Sequence, residues 1–101
     1  MTMEVDEAGT PLLRVGFGEP AQSDQIVRDV ALCVEELIGG GRITGGPLLK
    51  INGPISVIAA MVLCHAVAHR YEAISMFDPK LNRYVVTISH GPSYRVGDLI
   101  A

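Results

Sequence analysis

The chain has 101 residues, 49% hydrophobic and 19% charged, with a formal net charge of −3. That length makes one domain, residues 1–101, with a single modest core, and the composition excludes intrinsic disorder. The negative charge argues against a general nucleic-acid binder and no DNA partner is expected. No membrane span is expected either, because the longest uncharged apolar stretch, Ile51 to Val67, is interrupted by Asn52, Gly53, Pro54, Ser56 and His65.

The opening segment MTMEVDEAGT is acidic and lacks the basic start and apolar centre of a signal peptide. Residues 11–18, PLLRVGFG, alternate loosely and read as a strand ending at Gly18 and Pro20. Ser23 or Asp24 then offers an N-cap, and Ile26, Val27, Val30, Ala31, Val34, Leu37 and Ile38 form the stripe of an amphipathic helix. Gly39, Gly40 and Gly41 stop it. Leu48 to Ile51 reads as a short strand, and Asn52-Gly53-Pro54 as a tight turn leading straight into a second helix, about Ile55 to Tyr71. That helix is apolar on nearly every side until His65, the pattern of a buried helix.

Ala73 to Phe77 follows as a strand, Asp78-Pro79-Lys80-Leu81-Asn82 as a turn, and Tyr84 to Ile88 as a β-branched return strand. Val96 to Ile100 adds a last edge strand after Gly97. The order strand, helix, strand, helix, hairpin predicts a single α/β domain with a mixed sheet, distantly Rossmann-like. Cys33 and Cys64 fall within the helical patterns and read as buried thiols rather than a disulfide framework, so a cytoplasmic protein is expected.

The net charge hides an asymmetry. Residues 1–41 hold two arginines against eight acids, or −6, whereas residues 42–101 hold six bases against three acids, or +3, together with all three histidines. A small anionic ligand is therefore expected at the C-terminal part.

His65 and His69 share one helix face, but HAVAH lacks the glutamate of a zinc-protease motif. His65, set among Leu63, Cys64, Ala66 and Val67, reads as a core residue. His69 lies where the helix ends, Asp78 ends the following strand, and His90 ends the return strand in Ser89-His90-Gly91. Two imidazoles and a carboxylate, with Lys80, Arg83 and Arg95 nearby, suit a phosphodiester: imidazole transfers protons near neutral pH, or the set holds a divalent metal such as Mn²⁺. Asn52 and Gly53, before the second helix, read either as a phosphate seat at a helix N-terminus or as a plain cap.

The strings INGPI, AHRYEAISMFDPKLNRYVVTISH and RVGDLI, over about residues 49–101, resemble the CRISPR-associated ring nucleases of the Csx-three family. Residues 1–48 agree with it in element order alone. The resemblance implies an enzyme that cleaves cyclic tetraadenylate, the second messenger of type III CRISPR defence, with Mn²⁺ as cofactor and a further activity as an RNA 3′-deadenylase. By position it implies His69, Asp78 and His90 as catalytic residues and metal ligands, and Lys80 as a phosphate-binding residue; Asn52, Gly53 and Ser89 are expected to bind ligand as well.

Family members can carry another histidine directly after the tyrosine of A-H-[KR]-Y. Here that place is Glu72, which could ligate Mn²⁺. The resemblance also implies a homodimer or larger homo-oligomer that sandwiches the ring, with site residues from more than one subunit. A competing expectation is a non-catalytic module that senses the cyclic oligonucleotide and regulates a partner. Some related proteins fuse this domain to a kinase-like one, and this chain carries no kinase motif.

Overall fold

In the computed structural model, which describes residues 1–16 and 23–101, six strands and two helices alternate along the chain. They are β1 (Thr2–Val5), β2 (Pro11–Arg14), α1 (Ser23–Gly39), β3 (Gly46–Asn52), α2 (Val57–Val67), β4 (Tyr71–Asp78), β5 (Arg83–Ser89) and β6 (Leu99–Ile100). The strands form one mixed sheet in the order β1-β2-β3-β4-β5-β6. β2, β3 and β4 are parallel and joined through α1 and α2, while β1, β5 and β6 pair antiparallel. The expected α/β domain is thus present, with a strand added before β2.

Each helical crossover advances one strand in the same direction, so two crossovers of one hand lay both helices on one face. There Leu13, Leu49, Ile51 and Ile74 of the strands pack against Val30, Val34, Leu63 and Val67 of the helices. On the opposite face Leu48, Ala73 and Val86 are covered by Tyr94 and Ile100. The period-2 alternation of β3 therefore sends Leu49 and Ile51 to the helices, and Leu48, Lys50 and Asn52 to the other side.

α1 closes at the glycine run: the N–H groups of Gly41 and Arg42 donate to Ile38 and Leu37 carbonyls at 3.1 and 2.9 Å. The expected strand end at Gly18 and Pro20 lies outside the described residues. So does the position before Ser23, which is itself the first helical residue.

α2 departs most from expectation. It starts at Val57, capped by the Ser56 hydroxyl accepting from the Ala59 N–H, and ends at Val67, so that Tyr71 opens β4. Nor is it buried all round. Ala59, Leu63 and Val67, four residues apart, face the core, while Val57 is 78% and Met61 68% exposed, and His65 is exposed too. Only one side of α2 meets the sheet and α1, and no charged residue marks the outer side. Neither helix is long and apolar enough to cross a membrane.

Candidate active site

The turn after α2 carries His69, and the end of β5 delivers His90. The Ala68 N–H donates to the Cys64 carbonyl and the Arg70 N–H to that of Val67, closing the helix just before β4 begins. The His90 N–H donates to the Glu72 carbonyl at 2.8 Å, which fixes the end of β5 beside the start of β4. The two exposed imidazoles stack, with ring centroids 5.1 Å apart and planes 24° from parallel.

Glu72 and Ser89 shape the loop that carries His90. The Glu72 carboxylate accepts from the Ser93 N–H at 3.0 Å and the Ser93 hydroxyl at 3.4 Å, and its side chain fills the space a Cβ would need at Gly91. The Ser89 hydroxyl proton is shared between the carbonyls of Tyr94 at 2.6 Å and Gly91 at 3.2 Å. Both groups expected as ligands are therefore engaged within the protein.

Asp78 is not with the histidines. β4 and β5 form a hairpin, so Asp78 pairs with Arg83 at one end of the ladder while Ala73 pairs with Ser89 at the other. Asp78 lies six steps along the strand from Glu72, or about 20 Å. Asp78 and Lys80 lie at the carboxyl edge of the parallel strands, and His69 and His90 at the amino edge. At the carboxyl edge Asp78 Oδ1 accepts from the Lys80 N–H at 2.8 Å and the Leu81 N–H at 3.4 Å, ordinary Asx-turn bonding. The Lys80 side chain stays exposed. Within one chain, the expected site residues His69, Asp78 and His90 thus form two half-clusters at opposite ends of the sheet.

That split bears on Mn²⁺. Among the described residues no three His, Cys, Asp or Glu side chains come together to hold a metal ion. A hard cation needs several converging ligands, largely oxygens, and a stacked imidazole pair does not supply them. The described residues of a single chain do not fit Mn²⁺.

Asn52 and Gly53 also sit at the carboxyl edge, but not at a helix N-terminus, since α2 begins four residues after Gly53. Gly53 adopts φ +127°, and a Cβ there would lie 1.8 Å from the Val15 carbonyl oxygen. The neighbouring Asn52 carbonyl accepts from the Val15 N–H at 2.8 Å, so this glycine permits a close backbone crossing. The Asn52 amide donates to the Tyr84 hydroxyl at 3.1 Å.

Behind Tyr84 stands Lys50, only 4% exposed. Its ammonium donates to Asp6 Oδ2 at 2.5 Å and to the Ala101 main-chain oxygen at 2.8 Å, and lies 5.1 Å from the centre of the Tyr84 ring. Asp6 also accepts from the Ala8 and Thr10 N–H groups at 3.0 and 2.9 Å. The hydrogen bond from Lys50, then that from Thr10, lowers its carboxyl below the ordinary value. Lys50 is therefore spent inside the fold, and the basic surface of the C-terminal part is the smaller for it. Lys50, Asp6 and Tyr84 were not among the expected functional residues; the signal was a lone charge inside the apolar strand LLKI.

A groove of about 470 Å³ runs along the start of α2, where Ile55, Val57, Met61 and Cys64 face Met76 and Phe77. Both cysteines are free and half-buried, and burial pushes the Cys64 thiol up from its ordinary value.

The model of one protein family, described as CRISPR-associated protein (Cas_csx3), matches residues 43–101. No curated protein and no solved structure matches the chain. The matched span covers more than half the chain and holds β3 through β6, both stacked histidines and the whole carboxyl-edge turn. The chain belongs to the Cas_csx3 family of CRISPR-associated proteins.

Proposed function

We propose that this protein is a cytoplasmic ring nuclease that cleaves cyclic tetraadenylate and so silences type III CRISPR signalling, with weaker 3′-deadenylase activity on RNA. The observation that carries the reading is the His69–His90 pair, two titratable rings held 5.1 Å apart at the protein surface. In RNA the ribose 2′-oxygen can attack its own phosphate. One imidazole takes the 2′-hydroxyl proton as the new P–O bond forms. The other gives a proton to the departing 5′-oxygen, leaving a 2′,3′-cyclic phosphate and a 5′-hydroxyl.

Lys80 balances phosphate charge, and Asp78 orients the turn that presents it. Because these lie at the opposite end of the sheet from the histidines, the reading requires at least a homodimer. The amino edge of one copy and the carboxyl edge of another then meet on the ring.

The test is incubation with labelled cyclic tetraadenylate, with and without Mn²⁺, resolved by chromatography. Linear fragments are the expected product. Unchanged ring alongside measurable binding would assign the protein to the sensing modules instead.

A further inference from the structure

At the carboxyl edge, Asn52, Gly53, Pro54, Ile55, Phe77 and Pro79 line a surface pocket of about 450 Å³. Its walls are apolar apart from one amide, the pattern of a small-molecule site in which a single polar group sets orientation. It also lies at the carboxyl ends of the parallel strands β3 and β4, where open α/β sheets collect ligands.

The amide is anchored. Asn52 gives one N–H to the Tyr84 hydroxyl, and among the described residues its second N–H and Oδ1 have no partner. Tyr84 is itself gripped from two sides. The edge-to-face contact with Phe77 has centroids 5.3 Å apart and planes 64° from parallel, and the buried Lys50 ammonium lies against the ring. Phe77 thus both steadies Tyr84 and offers an aromatic wall to the pocket, and aromatic walls stack nucleobases.

We infer that Asn52 is the base-reading residue of this pocket and selects adenine. The inference rests on the ring-nuclease reading and adds to it the residue that recognises the base. A carboxamide presents one donor beside one acceptor, matching the N7 acceptor and N6 amino donor of adenine. Hypoxanthine, which carries acceptors at both places, mismatches it. Tyr84 acts as a positioning residue, holding the amide at the angle the base requires, and exposed Lys80 beside the pocket takes the adjoining phosphate.

The test measures binding of labelled cyclic tetraadenylate and its all-inosine counterpart to the full chain, the Asn52→Leu variant and the Tyr84→Phe variant. Asn52→Leu keeps the volume and removes both the amide donor and the amide acceptor. Its preference for adenine over hypoxanthine is expected to fall about tenfold or more, the scale of a lost bidentate pair. Tyr84→Phe keeps the ring that Lys50 and Phe77 hold and removes only the hydroxyl. Its preference should fall in the same direction, more than its affinity for the inosine ring. If the wild-type chain prefers the adenine ring and both variants keep that preference, Asn52 is not the reader, and the ring-nuclease reading stands without it. If the wild-type chain binds neither ring, that reading fails and this inference fails with it.

Discussion

The rings of His69 and His90 stack at 5.1 Å although one follows a helix and the other ends a strand. The hydrogen bond from the His90 N–H to Glu72 sets this distance, because it lays the end of β5 beside the start of β4. His69→Ala and His90→Ala should each lower turnover of cyclic tetraadenylate at least about 100-fold, the scale of a lost general acid or base. Their melting temperatures should barely move, because both side chains are exposed. His65 is exposed as well, so His65→Ala should change stability by less than about 0.5 kcal/mol and leave turnover intact. Turnover and thermal melting of the three variants side by side decide the matter.

Substitutions at Lys80 and Arg28 test whether the carboxyl edge receives the ligand. Arg28 on α1 is exposed and already paired with Asp24 at 3.2 Å. Lys80→Ala should weaken binding of cyclic tetraadenylate several-fold, and Arg28→Ala should leave it unchanged. Equal losses in a titration of the two variants would remove the carboxyl edge from the ligand site.

Gly53→Ala should cost at least about 2 kcal/mol in urea unfolding, since both φ +127° and the Val15 carbonyl at 1.8 Å oppose a side chain. Loss of binding in this variant is then a consequence of a displaced β2–β3 crossing. Unchanged stability would mean that the crossing relaxes freely.

The Asp6–Lys50 pair makes stability depend on pH with a definite sign. The Asp6 carboxyl is lowered in the folded protein by the hydrogen bond from Lys50, so its contribution is present above the ordinary carboxylate range. That contribution is lost as pH falls through the lowered value. Asp6→Asn should reduce stability at pH 7 and flatten the acid side of the profile, which urea midpoints measured from neutral pH to pH 2 will show.

Cys64 lines the groove beside α2 with its thiol pushed up by burial. It should react slowly with iodoacetamide at pH 7 and faster as pH rises, followed by mass spectrometry of the alkylated peptide.

Both helices were legible in the sequence, because α1 carries a charged outer face and α2 an unbroken apolar run. Whether α2 was covered was not legible. Val57 and Met61 are as apolar as Leu63, and only the fold shows that nothing among the described residues packs over them. β1 escaped notice because most of its residues are exposed, so no alternation betrays it.

The candidate site residues were read one by one, and the fold places them at two ends of the sheet. Asp78 and His90 each end a strand, which suggested a common edge. In an antiparallel hairpin the end of the second strand returns to the start of the first, so two such ends are necessarily a strand length apart. The residue types suggested a chemistry, and only strand direction could say which of them meet within one chain.

Lys50 joins Asp6 across 44 residues of chain and Ala101 across 51. Both contacts close long loops, whose entropy must be lost before either bond forms, and both need β3 already seated in the sheet. The ammonium is therefore captured late on the folding route, after the parallel strands and their helices have condensed. Substituting Lys50 should then speed unfolding far more than it slows refolding, which makes this lysine a governor of how long the folded chain persists.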